Sequence, residues 1–337
     1  MEVFKILNGF NGHALHFVYH RKSYLRAIIA LDTVVDGRAV GGIRLANYRN
    51  EAHAVEDACQ LARAMSFKSS IAGLPCGGAK TVIFKHPTLK RAEAYRALGR
   101  AVEELGGLYH SGLDLGTTMK DLQQVASQTN HVSNSLDFGK HTARGVIAAT
   151  RAAIKFRTGA DTLREVRVAI QGLGNVGMEL AKGLHKEGAQ LVVADSASSK
   201  CAQARREFGA EVVSTNKITY EPCDVFAPCA GDSVITTRNL PRLACDAIVG
   251  SANNILSAPP LANELMKAGI TFVPGFVANA GALIMGVTEI AKGKANTKPK
   301  LVDKIYDTSL NVLRTAKRRK ISTIQAAETI AAKALKR

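Results

Sequence analysis

Residues 166–177 constrain this chain more than any other stretch. The run Val166–Ile170 is rich in β-branched residues. It leads into Gln171-Gly172-Leu173-Gly174-Asn175-Val176-Gly177, and the apolar period then changes to that of a helix through Leu180 and Leu184. A strand that turns through glycines directly into a helix is the start of a βαβ unit. The alternation continues downstream. Strands are expected at 191–194, 211–213, 224–227, 247–250 and 271–273, with a helix over 200–208. Strands separated by helices predict a parallel, doubly wound sheet.

The first half reads differently. Residues up to about 48 look like strands, with Leu25–Leu31 the clearest and Asp36-Gly37 a hairpin-type turn. Residues 51–67 follow a helical period, with Asn50 as N-cap. A strand is expected at 81–84, and a helix over 90–105 stopped by Gly106-Gly107. After Ala280 the chain reads as helices, broken near Asn296–Pro299. The expected organisation is α/β with two domains. Residues 1–138 form an α/β substrate domain, and 139–285 a Rossmann domain. Residues 286–337 are basic helices returning toward the first domain.

No apolar run is long enough for a membrane helix, and the N-terminus lacks a secretory pattern, so a cytoplasmic location is expected. The six cysteines form no CxxC pair and keep no histidine cluster for company. Free thiols and no metal are the expectation. The net charge of +17 is concentrated at one end. Residues 291–337 hold thirteen Lys/Arg against three Asp/Glu, densest at Lys317-Arg318-Arg319-Lys320. Without interleaved aromatics this run does not read as a nucleic-acid platform.

Gly172, Gly174 and Gly177 have distinct tasks in the strand–turn–helix setting. The first permits the turn, the second lets backbone approach a pyrophosphate, and the third allows close helix–strand packing. With Leu173, Asn175 and Val176 they form a dinucleotide-binding loop at a helix N-terminus, where free N–H groups favour an anion. Asp195 closes the next strand. Its carboxylate would accept from a ribose diol and repel a 2′-phosphate, which favours NAD over NADP. Capping the next helix is the structural alternative.

A nicotinamide cofactor implies hydride transfer, so proton-handling groups are sought elsewhere. Lys68 and Lys80 bracket a Gly- and Pro-rich segment, and Asp114 lies in another small-residue stretch. A buried lysine beside a second cation loses its proton more easily and can act as a base near neutrality.

These segments together resemble the Glu/Leu/Phe/Val amino-acid dehydrogenases. The resemblance is carried by Gly41-Gly42-Ile43-Arg44, Glu56-Asp57-Ala58 through Ala62-Arg63, Phe67-Lys68, Gly73–Lys80, Asp114-Leu115-Gly116-Thr117, Gln171–Val176, Ala227–Ala230, Gly250–Asn254 and Asn279-Ala280-Gly281. It spans nearly the whole chain and is closest to the leucine-specific branch. It implies NAD-dependent, reversible oxidative deamination of an L-amino acid to a 2-oxo acid and ammonium, by a homo-oligomer. By resemblance, Lys68 binds the substrate carboxylate with help from Gly41 and Gly42, Lys80 is the general base, and Asp114 moves protons. Asn279 orients substrate, Asn253 and Ala230 line the cofactor cleft, and Thr142 sits near the nicotinamide amide. Val40 stands where glutamate-specific relatives carry a lysine. With Gly112, Val277 and Leu283 it implies an apolar pocket for a leucine-, valine- or isoleucine-like substrate. Gly112 leaves room for an aromatic one. Rival readings are an aromatic or glutamate dehydrogenase, and a catalytically weak NAD-binding regulator. Two departures stand out. Ala79 replaces a glycine usual in the leucine enzymes, and Leu113 replaces an acid common before the aspartate.

Overall fold

The computed structural model describes residues 3–10, 12–134, 137–292 and 299–335. These divide into two compact units. The first holds the described residues up to 134, with 286–292 and 334–335; the second holds 137–285 and 299–333. This differs from the expected grouping of 286–337 as helices returning to the first domain. Most of that segment packs within the second unit, because the buried face of its long helix meets the second unit's first helix. The expected break at 296–299 lies outside the described residues except for Pro299.

In the first unit, helix α1 (Val3–Phe10) precedes strands β1 (Ala14–His20), β2 (Leu25–Leu31) and β3 (Ala39–Ala46). Then come α2 (Glu51–Ile71), β4 (Gly77–Phe84), α3 (Arg91–Glu104), β5 (Tyr109–Leu113) and α4 (Met119–Ala126). The sheet order is β1-β2-β4-β3-β5. The first two pairings, β1–β2 and β2–β4, are antiparallel; β3 lies parallel to both β4 and β5. The expected turn forms at Asp36-Gly37, both in the left-handed region at φ 50° and 70°, closed by the Val35–Arg38 bridge. Asn50 caps α2 by accepting from the His53 N–H. The segment 3–10 is a helix rather than a strand. Ile6 and Phe10, one helical turn apart, pack on the α2 side of the sheet.

Two core clusters sandwich this sheet. On one face Ile28, Ala30 and Val82 meet Ala54, Val55, Ala58 and Ala62 of α2. On the other, Ile29, Leu31, Ile43 and Ile83 meet Tyr95, Leu98 and Val102 of α3. Glycines set the spacing. A Cβ on Gly78 would lie 2.0 Å from the Ser66 nitrogen on α2, and one on Gly41 would lie 1.6 Å from the Ala79 carbonyl oxygen.

The second unit opens with α5 (Phe138–Thr158), which precedes β6 (Arg167–Gln171), α6 (Asn175–Lys186), β7 (Gln190–Ala194) and α7 (Ser198–Phe208). There follow β8 (Glu211–Val212), β9 (Cys223–Pro228), β10 (Cys245–Ile248), α8 (Leu261–Lys267), β11 (Thr271–Phe272) and α9 (Gly275–Ala278). Helix α10 (Gly281–Lys292) straddles the division, and α11 (Ile305–Arg319) and α12 (Thr323–Leu335) complete the chain. All pairings are parallel, in the order β8-β7-β6-β9-β10-β11. That is the doubly wound order of a Rossmann sheet, with its switch point between β6 and β9. No described helix is long and apolar enough to cross a membrane.

Candidate active site

Lys68 and Lys80 do not bracket one loop. Helix α2 runs three residues past Lys68, and β4 starts three residues before Lys80. Only 72–76 is irregular, with Gly73 at φ +66°. The expected loop is thus a helix end and a strand start. Gly77-Gly78, read as loop glycines, are strand residues whose missing side chains let neighbouring backbone approach. A Cβ on Gly77 would lie 1.7 Å from the Thr33 carbonyl oxygen.

Residue alternation places Lys80 on the α2 face of the sheet and Ala79 on the other. Ala79 is fully buried in the core facing α3. An alanine there adds a methyl to that core and leaves the lysine's surroundings intact.

Lys80 is only 5% exposed, and its Nζ lies 3.0 Å from Asp114 Oδ2. The Arg44 Nε donates to the same oxygen at 2.8 Å. A Cβ on Gly42 would come within 2.8 Å of the Asp114 Cβ, so that glycine makes room for the carboxylate. A network extends from Arg44, whose second nitrogen lies 3.8 Å from Asp57, and Asp57 accepts from the Tyr48 hydroxyl at 2.8 Å. Arg44, Asp57 and Tyr48 were not among the expected site residues. The signal available was that Arg44 and Asp57 lie in segments that carry the resemblance, Arg44 two residues after Gly42 on the same strand face.

Burial and charge tune these groups. Burial holds Lys80 below the usual lysine range; Asp114 opposes this and Arg44 adds to it. Lys68 is lowered to about 8, first by burial and then by repulsion from Lys80, with Asp114 opposing. Burial alone would raise Asp114, but Lys80 and Arg44 outweigh it and keep its carboxyl below the usual range. The site therefore joins an ionised carboxylate to two amines that give up protons more readily than usual. Such a set can bind an anion and pass a proton.

Val40 is half-buried on β3, paired with Gly78 on one side and His110 on the other. Gly112 is half-buried on β5, and a Cβ there would meet nothing within 4 Å. Val277, Leu283 and Asn279 belong to the second unit. There Val277 is 1% exposed, a core position, and Leu283 is half-buried. The Asn279 amide donates to Ser251 O at 3.0 Å and to Asn253 Oδ1 at 2.7 Å. Its own Oδ1 is buried with no hydrogen-bond partner.

The fingerprint loop joins β6 to α6. Gly172 takes φ +91°, and a Cβ there would strike the Ala230 Cβ at 2.3 Å. A Cβ on Gly177 would lie 1.9 Å from the Gly172 carbonyl oxygen, whereas Gly174 faces open space. Leu173 is buried; Asn175 and Val176 begin α6 beside it. Asp195 follows β7 and accepts from Leu173 N–H at 2.6 Å and Ala197 N–H at 2.8 Å. Partial burial opposes its charge, but those two donors and Lys200 hold its carboxyl below the usual range. The carboxylate thus ties the loop to the start of α7 and keeps acceptor capacity for a diol. Thr142 is half-buried on α5, and Ala230 and Asn253 are exposed.

Comparison with known proteins places the chain among amino-acid dehydrogenases. The dimerisation-domain profile of the Glu/Leu/Phe/Val dehydrogenases matches residues 16–131. The Glutamate/Leucine/Phenylalanine/Valine dehydrogenase profile matches 135–205 and 197–337. A leucine dehydrogenase from Geobacillus stearothermophilus is 38% identical, over 98% of this chain and 92% of that protein. A phenylalanine dehydrogenase from Thermoactinomyces intermedius is 34% identical, over 100% of this chain and 94% of that protein. The crystal structure of L-tryptophan dehydrogenase from Nostoc punctiforme superposes with a TM-score of 0.89 at 34% identity, covering 99% of this chain and 98% of that one.

Proposed function

The chain belongs to the Glu/Leu/Phe/Val dehydrogenase family of amino-acid dehydrogenases, and from that premise we propose NAD-dependent, reversible oxidative deamination of an apolar L-amino acid. The carrying observation is the contact of buried Lys80 with Asp114 beside a second lowered lysine, Lys68. In this reading Lys68 holds the substrate α-carboxylate, helped by the backbone at Gly41 and Gly42. Lys80, once neutral, takes a proton from the water that adds to the imino acid. Asp114 stabilises the ammonium that forms on Lys80 and helps move protons to and from the amino group. NAD supplies the hydride acceptor. Its pyrophosphate is assigned to Gly172–Gly177 and its adenine ribose to Asp195, with Ala230, Asn253 and Thr142 nearby in role. Asn279 orients substrate through its unpaired Oδ1.

The substrate side chain is assigned to Val40, Gly112, Val277 and Leu283. None carries a charge, and a buried unpaired carboxylate is costly, so glutamate is disfavoured. Leucine-like substrates are the first reading. The open space over Gly112 supports aromatic substrates as the second. A homo-oligomer belongs to the same reading, supported by the match to a dimerisation domain. The test is NADH formation across a panel of L-amino acids, for wild type and Lys80→Ala. Activity on apolar substrates that the variant loses is expected. No activity on any member, or activity chiefly on glutamate, overturns the proposal.

A further inference from the structure

The basic run at 317–320 lies outside the residues assigned to the dehydrogenase chemistry, and the second unit gives it a setting. A cavity of about 590 Å³ opens beside the edge strand β11, among α5, α8 and the end of α11. Its apolar walls include Phe156, Met266, Ile270, Phe272, Leu313 and Ile321. A second cavity of about 370 Å³ shares Phe156 and Lys317 with it, and adds Lys155, Arg314 and Arg318. The Lys317 ammonium lies 5.6 Å from the centre of the Phe156 ring, at the junction of the two.

The charges there are one-sided. Arg157, at the apolar end, is neutralised by Asp246 at 2.9 Å. Among the described residues no carboxylate pairs with Lys155, Arg314, Lys317 or Arg318; Lys155 donates to the Gly159 carbonyl oxygen. A basic last turn complements a helix dipole, which accounts for cations at 317–319. It does not account for Arg314, a turn earlier, or for Lys155 arriving from another helix at the same cavity. An apolar hollow joined to a cluster of unneutralised cations complements an amphiphile with an apolar body and a multiply charged anionic head.

We propose that this joined groove binds a small anionic amphiphile, an alkyl or acyl chain bearing a phosphate-type head. The chain lies against Met266, Ile270 and Phe272, and the head lies among Lys155, Arg314, Lys317 and Arg318. The site is separate in residues from Lys80 and from the Gly172–Gly177 loop, so it does not depend on the dehydrogenase reading.

Calorimetric titration of the full chain with hexyl, octyl and decyl phosphate tests this, with pyrophosphate and octyl glucoside as single-feature controls. Saturable one-to-one binding is expected, tightening about threefold per methylene and weakening with added salt. Both controls should bind at least about tenfold more weakly than octyl phosphate. Arg314→Ala with Arg318→Ala should lose about tenfold and keep the chain-length dependence. Met266→Asp, at an exposed position, should lose that dependence while amino-acid dehydrogenase activity stays unchanged. No saturable binding, indifference to chain length, or wild-type binding by both variants overturns the proposal. So does binding of a single-stranded oligonucleotide without binding of decyl phosphate.

Discussion

Replacing Lys68 with methionine should make the protein more stable and a worse enzyme. Lys68 is lowered from 10.5 to about 8, chiefly by burial and then by Lys80. Below pH 8 the folded state holds an ammonium that it disfavours by roughly 3 kcal/mol relative to the unfolded chain. Between pH 8 and 10.5 the folded amine has shed its proton while the unfolded one keeps it, so stability rises with pH across that window. Methionine fills a similar volume without charge. Because the side chain keeps some exposure, the gain at pH 7 should be about 1–3 kcal/mol, several degrees in the transition of the first unit. By pH 10 it should fall below about 1 kcal/mol. Differential scanning calorimetry at both pH values reads this directly. The same variant should raise KM for the amino acid by roughly 10–100-fold, through loss of a charged hydrogen bond to the carboxylate. A variant less stable at pH 7, or equally stabilised at pH 10, would refute the reasoning.

Lys80→Ala should lower kcat by about 10²–10⁴-fold, with the secondary structure kept, checked by steady-state kinetics and circular dichroism. Gly41→Ala should cost at least about 10²-fold in kcat/KM, because a Cβ 1.6 Å from Ala79 O forces β4 away and moves Lys80. Gly112→Ala meets open space, so it should leave melting unchanged and shift preference from aromatic toward branched substrates. Asp195→Ala should raise KM for NAD about tenfold or more and narrow the preference over NADP, because it removes both the diol acceptor and the anchor of Leu173 N–H.

The Rossmann half was largely legible because its signals are local. Period changes, Gly172 and the strand-ending Asp195 lie within thirty residues, and each element is made from its own sequence. The capping of α2 by Asn50 was legible for the same reason. Helix α1 was not: eight residues show too few turns to separate a helical stripe from alternation, and α1 buries only part of Ile6 and Phe10. The start of β4 was hidden because Gly77-Gly78 look like a loop until the packing that requires them is seen. The C-terminal helices show their apolar faces in the sequence, but which unit covers those faces depends on tertiary placement alone.

The same limit applied to the proposed base. Lys80 and Asp114 were identifiable as a pair, but the control over their protons was not. Arg44 lies seventy positions from Asp114, and the two meet because β3 and β5 run parallel in register, Gly42 opposite Gly112. Arg44 favours the ionised carboxylate and disfavours the Lys80 ammonium. Both effects move the pair toward a neutral amine beside a charged acid, the state a base requires before water can be deprotonated. The arginine also holds Asp114 in place when Lys80 changes its proton. The protonation of Lys80, on which its proposed role as base rests, therefore depends on the register of three strands more than on the glycine-rich segment before it.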